Sequence, residues 1–61
     1  MKKWYFIPKY LPTDGQTVWI RLNSNAYQVF QAIYNTTAET FTSVENSIVY
    51  PVTYVWKWRQ L

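Results

Sequence analysis

Apolar and polar residues alternate with a period of two over much of the chain, a pattern that predicts β-strands. Residues 17–23 are the clearest strand, because aliphatic side chains occupy every second position: Val18, Ile20 and Leu22. Trp19 and Arg21 fall on the opposite face of this strand. A tryptophan on that face requires a partner subunit, a ligand or the second side of a closed sheet to cover it.

The C-terminal segment, residues 52–59, alternates in the same way and forms the second clear strand. One of its faces carries Val52 and three aromatic side chains: Tyr54, Trp56 and Trp58. Thr53 and Val55 fall on the other face, together with Lys57 and Arg59. We therefore predict that the three aromatic residues belong to the core and that the two cations face outward.

Two shorter strands are predicted over residues 4–7 and 40–44. The loop between the first two strands contains Asp14 and Gly15, which tolerate the positive φ that tight turns require. The expected fold is therefore mainly β, either a small five-stranded meander or an SH3-like partly open barrel, in a single domain spanning residues 1–61.

Residues 26–34 fit two structures. A helix would place four apolar side chains on one face: Ala26, Val29, Phe30 and Ile33. Asn25 would cap that helix, with Gln28 three residues later, as in a capping box. A strand would instead bring together Phe30, Ala32 and Tyr34. The aromatic and β-branched content favours the strand, and both alternatives stay open.

The amino-acid composition limits both how the fold can be stabilised and which functional groups it can offer. A chain of 61 residues buries a small core, so such folds are usually reinforced by disulfides, metals, oligomerisation or aromatic packing. Cysteine and histidine are absent, which excludes disulfides and removes the commonest metal ligands. The four Trp, six Tyr and three Phe predict aromatic packing. They also exceed what one small sheet can hide, which predicts a homo-oligomer.

The sequence predicts no enzyme, no metal site and no cofactor. The acidic residues are Asp14, Glu39 and Glu45, and their turn and strand-flanking positions indicate no acid–base pair. Without cysteine or histidine, no nucleophile–base pair is visible, and a single glycine cannot form a phosphate-binding loop. The N-terminal residues resemble neither a signal peptide nor a membrane span, which predicts a cytoplasmic location without membrane contact.

The formal net charge of +3 favours anionic partners. If the two clear strands are neighbours, four candidate ligand-binding side chains meet on one outward face: Trp19, Arg21, Lys57 and Arg59. An aromatic ring there can stack on a base while the cations neutralise phosphate. The alternative for the cations is an ordinary solvated strand face. Tyr10 is a fifth candidate, and its alternative role is packing against Pro8 or Pro12.

Several landmarks follow one another along the chain: Trp4, Leu11-Pro12, Asp14-Gly15, Val18 and the closing Val55-Trp56-Lys57-Trp58-Arg59-Gln60-Leu61. They resemble a family of small phage and prophage domains of unknown function. The pattern of that family is an N-terminal Trp, a Leu-Pro-x-x-Gly-x-x-Val turn and strand, a Tyr-rich middle strand and a terminal Val-Thr-His-Trp-x-Pro-Leu-Pro. Lys57 stands where the family has His, and Gln60 stands where it has Pro. The resemblance implies a β-rich fold and a phage or prophage origin, without a biochemical activity.

The leading hypothesis is a non-catalytic, phage-type binding module that captures a nucleotide-like anionic ligand. That ligand is either short single-stranded nucleic acid or a nucleotide immune signal, sequestered by an oligomeric sponge that counters host defence. The alternative is a structural or protein–protein interaction module, such as a virion accessory protein or an inhibitor of a host protein. Phosphate-driven binding weakens steeply with salt, which separates the two hypotheses.

Overall fold

The computed structural model describes residues 2–25 and 27–61. They form six strands: β1 (Trp4–Phe6), β2 (Thr17–Leu22), β3 (Phe30–Asn35), β4 (Thr40–Ser43), β5 (Val49–Pro51) and β6 (Val55–Gln60). One turn of 3₁₀ helix, Val52–Tyr54, joins β5 to β6. No helix in these described ranges is long and apolar enough to cross a membrane.

The strands make one antiparallel sheet in the order β1-β6-β2-β3-β4-β5, and this sheet is not closed into a barrel. The prediction of a mainly β fold is confirmed. The sheet has six strands rather than five, because β5 is a separate strand that the sequence pattern did not reveal. Strands β2 to β5 follow one another as a meander, whereas β6 returns to pair between β1 and β2. The N-terminal and C-terminal strands are therefore neighbours.

The segment that fitted two structures contains a strand. In β3, one face is buried, and its members are those that the strand alternative required: Phe30, Ala32 and Tyr34. The proposed helix cap is instead part of a turn, in which the Gln28 N–H donates to the Asn25 carbonyl oxygen at 3.3 Å. Ala26, which the helix alternative placed on its apolar face, lies outside the described residues.

The core lies on one face of the sheet. Its buried apolar members are Val18, Ile20, Leu22, Phe30, Ala32, Tyr34, Phe41, Val55 and Trp58. The described chain measures 27 × 21 × 20 Å. Its smallest dimension exceeds the thickness of a flat sheet with its side chains, which is about 10 Å. The sheet therefore curls around its core face. The rings of Phe30 and Tyr50 lie 5.5 Å apart across this curl, although β3 and β5 are not neighbours.

The C-terminal strand departs from the predicted alternation. Trp58 is a core residue, as expected, but Trp56 is 37% exposed and Tyr54 is 62% exposed in the 3₁₀ helix. Val55, which the pattern placed on the outer face, is buried. The prediction that Tyr54 and Trp56 belong to the core and that Val55 faces outward is therefore wrong.

A β-bulge explains this departure. Arg21 on β2 pairs with Lys57 on β6, whereas the next residue, Leu22, pairs with Val55. Trp56 is the extra residue between these two pairs, and such a residue shifts the phase of the alternation in its strand. Val55 is thus brought to the core face, and Trp56 and Lys57 both lie on the outer side.

The loop between β1 and β2 has the turn that the sequence predicted. Gly15 adopts φ +79°, a conformation that glycine alone enters freely, and its N–H donates to the Tyr34 carbonyl oxygen at 2.8 Å. The side chain of Asp14 accepts a hydrogen bond from the Thr36 N–H at 2.9 Å. These bonds fasten the loop to the end of β3.

Candidate anion-binding face

The face of the sheet that points away from the core carries a distinct set of side chains on β1, β6 and β2. We call it the cationic face and define it by Trp4, Phe6, Trp19, Arg21, Lys57 and Arg59. Strand alternation places these residues there, since each is next in sequence to at least one residue whose side chain packs in or against the core. Four of the five residues that the sequence analysis proposed for ligand binding belong to this face.

The strand registers arrange the cationic face in two rows that run across the sheet. In the first row, Arg59 is the Cα partner of both Trp4 and Trp19, and Trp19 is in turn the partner of Gln31 on β3. In the second row, Lys57 is the partner of both Phe6 and Arg21. The condition that the two clear strands be neighbours is met, because β2 and β6 pair directly.

Three cations surround the indole ring of Trp4. The guanidinium carbons of Arg59 and Arg21 lie 4.9 Å and 5.2 Å from the ring centroid, and the Lys57 Nζ lies 5.0 Å from it. All three distances fall within the range of about 6 Å in which a cation is attracted by an aromatic face. Trp4 therefore holds the three positive charges together on the outer face of the sheet.

Lys57 has further aromatic neighbours. Its Nζ lies 4.1 Å from the ring centroid of Trp56 and 5.4 Å from that of Phe6. The β-bulge causes the first of these contacts, because it turns Trp56 to the same side of the sheet as Lys57. The ammonium group is thus held by three rings rather than extended freely into water.

All the charged side chains of the cationic face are positive. Arg21 and Lys57 lie directly opposite each other on neighbouring strands, and like charges in that position destabilise a sheet. The three acidic residues lie in turns rather than on these strands: Asp14, Glu39 and Glu45. A ligand phosphate would relieve the repulsion between the cations, so the face is electrostatically suited to an anion.

The side chains of the cationic face are restrained by packing and remain accessible to solvent. Trp4, Trp19, Arg21, Lys57 and Arg59 are all half-buried, so packing restrains them while part of each surface faces solvent. A binding surface of this kind loses little side-chain entropy when a ligand arrives, which favours affinity.

A shallow depression adjoins the first row. We call it the Trp19 depression, and it has a volume of about 330 Å³. Its lining residues are Trp19, Val29, Phe30, Gln31, Val44 and Glu45. A flat ligand group can therefore lie in the depression beside Trp19, as well as on the open surface of the face.

Tyr10 is placed apart from the other four candidates. Its ring packs edge-on against Tyr5 at 5.7 Å, on the core side of β1, with the Lys9 Nζ 5.4 Å from its centroid. Its carbonyl oxygen accepts a hydrogen bond from the Trp58 Nε1–H at 3.0 Å. The ring of Tyr10 therefore contacts Tyr5 and Lys9, away from the cationic face.

Trp4, the residue at the centre of the cation cluster, was missed from the sequence. Its alternation with Tyr5 and Phe6 does indicate that Trp4 and Phe6 share a face. The alternation cannot indicate that β1 pairs with β6, since these strands lie at opposite ends of the sequence. That pairing brings Trp4 to Arg59.

The chemistry offered by the cationic face is stacking, positive charge and hydrogen-bond donation. Within residues 2–25 and 27–61, no group of three His, Cys, Asp or Glu side chains is arranged to hold a metal ion. The arrangement can stack on a flat group and donate charged hydrogen bonds to an anion.

No family model matches the chain, and no curated protein or solved structure matches it either. The resemblance to phage and prophage domains stays a prediction.

Proposed function

We propose that the chain is a non-catalytic binding module whose cationic face captures a nucleotide-like anionic ligand. The observation that carries this proposal is the convergence of Arg21, Lys57 and Arg59 within 5.2 Å of the ring centroid of Trp4. Three cations gathered on a half-buried tryptophan, on a sheet face with a second tryptophan beside them, suit phosphates next to flat bases.

Short single-stranded nucleic acid is the ligand that this geometry favours. Trp4 and Trp19 flank Arg59, and two strand spacings separate them, or about 9–10 Å. Successive bases can stack on the two indoles while the phosphate between them meets Arg59. Open sheet faces with aromatic side chains bind single strands in this way in other small β-domains.

A sponge for a nucleotide immune signal is the second form of the same proposal. It requires an oligomer, and the outer face of β3, β4 and β5 offers a surface for one. Ile33, Thr42 and Val49 lie side by side there as cross-strand partners, and both aliphatic residues are exposed. Burial of this strip between copies would also reinforce a small core. The resemblance to phage domains motivates an anti-defence role for such a sponge.

The same exposed strip supports the competing function, a structural or protein–protein interaction module. A module of that kind would use Ile33 and Val49 rather than the cations, so its binding would be insensitive to salt. The convergence of cations on Trp4 favours the nucleotide-like ligand over this alternative.

Fluorescence anisotropy of labelled single-stranded octanucleotides tests the proposal. If the ligand phosphates engage Arg21, Lys57 and Arg59, log K should fall with log salt with a slope of about −2, from about −0.7 per contact. Cyclic dinucleotides and ADP-ribose, titrated by calorimetry, test the sponge form. An absence of binding to every one of these ligands at about 50 mM salt would overturn the proposal.

A matched pair of variants separates the effect of the cationic face on binding from the effect of net charge. The double variant Lys57→Gln/Arg59→Gln should reduce the salt slope by about 1.4 and weaken binding strongly. The control Lys3→Gln/Lys9→Gln removes the same charge from side chains that contact Tyr5 and Tyr10 instead. Equal losses in the two variants would show that net charge, rather than this face, attracts the ligand.

A further inference from the structure

We infer that the Trp19 depression is a base pocket that selects guanine, an inference that rests on the proposed function. The first row of the cationic face leads from Arg59 to Trp19 and on to Gln31. The Gln31 carbonyl oxygen accepts a hydrogen bond from the Val44 N–H at 3.0 Å, so the row continues to the end of β4. Trp19, where the depression begins, is therefore one strand away from Arg59, the cation of the first row.

The size and walls of the depression suit a single base. Its volume of about 330 Å³ lies at the lower end of small-molecule sites, which span about 300–1,000 Å³. Its apolar lining residues are Trp19, Val29, Phe30 and Val44. A planar ring can stack against the half-buried indole of Trp19 and be covered at its edge by the aliphatic side chains.

The polar lining residues indicate which base fits. Glu45 offers a carboxylate, whose oxygens accept hydrogen bonds, and Gln31 offers one carbonyl and one amino group. Guanine presents two adjacent donors, N1–H and the N2 amino group, that a carboxylate can accept together. Adenine and cytosine present an amino group next to a ring nitrogen that accepts, and this lone pair repels a carboxylate. Uracil and thymine present one N–H between two carbonyl oxygens.

The charges also orient the ligand. Glu45 repels phosphate, whereas Arg59 on the other side of Trp19 attracts it. A nucleotide therefore binds with its base toward Glu45 and its phosphate toward Arg59. A negative side chain beside a phosphate site weakens affinity unless it contacts the base. Because Glu45 lines the depression, we assign its carboxylate to a contact with the base.

Octanucleotides that differ at one central position test this inference, with guanine, inosine, adenine, cytosine or uracil there. Inosine is the decisive comparison, because it keeps N1–H and the guanine shape but lacks the N2 amino group. The wild-type protein should bind the guanine strand roughly 5- to 150-fold more tightly than the others, the discrimination that one bidentate pair provides. Glu45→Gln, which keeps the side-chain size, should equalise guanine and inosine.

Glu39→Gln is the matched control, because it removes the same charge in the turn between β3 and β4, away from the depression. It should retain the guanine preference. Equal binding of all five strands by the wild-type protein would overturn the base pocket and leave the proposed function standing. Retention of the preference in Glu45→Gln would overturn it as well. Failure of every strand to bind would overturn the base pocket together with the single-stranded form of the proposed function, and is recognised because no affinity is then measured at all.

Discussion

The two faces of the sheet draw their side chains from alternate positions of the same strands, yet the tryptophans on them have different neighbours. Trp58 on the core face stacks on Tyr5 at 4.8 Å and donates its Nε1–H to the Tyr10 carbonyl oxygen. Trp4 on the other face is surrounded by three cations. The face, rather than the residue type, therefore decides whether a tryptophan packs in the core or meets cations on the outer surface.

Truncation of the two tryptophans should separate the faces most sharply. Trp58→Ala should lower the free energy of unfolding by about 3–5 kcal/mol, because it leaves a cavity in a small core. Trp4→Ala should lower it by only about 1–2 kcal/mol, from lost cation–π contacts and partial burial. Urea denaturation of both variants makes the measurement. An equal loss would mean that the cationic face is a second core.

The next effect concerns affinity rather than stability. Trp19→Ala should weaken the binding of a single-stranded octanucleotide by about 1–3 kcal/mol, the loss of one stacked base. Tyr10→Ala is the contrasting variant, because the ring of Tyr10 lies on the core side of β1 beside Tyr5. Anisotropy titrations should show little change for it. A comparable loss in Tyr10→Ala would return Tyr10 to the site and place the ligand on both faces.

Single charge removals test the individual cations of the cationic face. Lys57→Gln and Arg59→Gln should each reduce the salt slope of binding by about 0.7, because each phosphate contact on a single strand releases about 0.7 counterion. The same titrations, repeated over a series of salt concentrations, provide the slopes. An unchanged slope in either variant would remove that residue from the phosphate contacts.

The smallest effect is expected on the other half of the outer face. Thr42→Val exchanges one β-branched side chain for another on β4, between Ile33 and Val49 and away from the cations. Stability should change by no more than about 0.5 kcal/mol, and oligonucleotide affinity should not change. A loss of affinity here would extend the ligand surface across the whole sheet. A changed oligomeric state in analytical ultracentrifugation would assign this strip to contacts between copies.

Local pattern predicted the faces of the strands well where the alternation is regular. In β2, the aliphatic residues Val18 and Ile20 are fully buried, and Trp19 and Arg21 lie on the outer side, as expected. Alternation failed at Val55, where the β-bulge inserts one residue and shifts the phase of the strand. A bulge depends on how two strands pair, which the sequence of one strand does not contain.

The candidate site was predictable only in part, for a related reason. The proximity of Arg21 and Lys57 followed once the two clear strands were assumed to be neighbours, and β2 and β6 do pair. The position of Trp4 at the centre of the cluster depends on β1 pairing with β6, a contact between the two ends of the sequence. The Trp19 depression depends on residues from β2, from β3 and the position before it, and from the turn after β4, so no local pattern reveals it.

The indole N–H resonances of the four tryptophans, followed by NMR during titration with a guanine-containing octanucleotide, test the binding face most directly. The Trp4 and Trp19 resonances should shift progressively, because their half-buried rings lie on the cationic face. The Trp58 resonance should stay in place, because its N–H is already donated to Tyr10 within the fold. Shifts of Trp58 as large as those of Trp4 and Trp19, or no shift of any indole at saturating ligand, would contradict the assignment of ligand binding to this face.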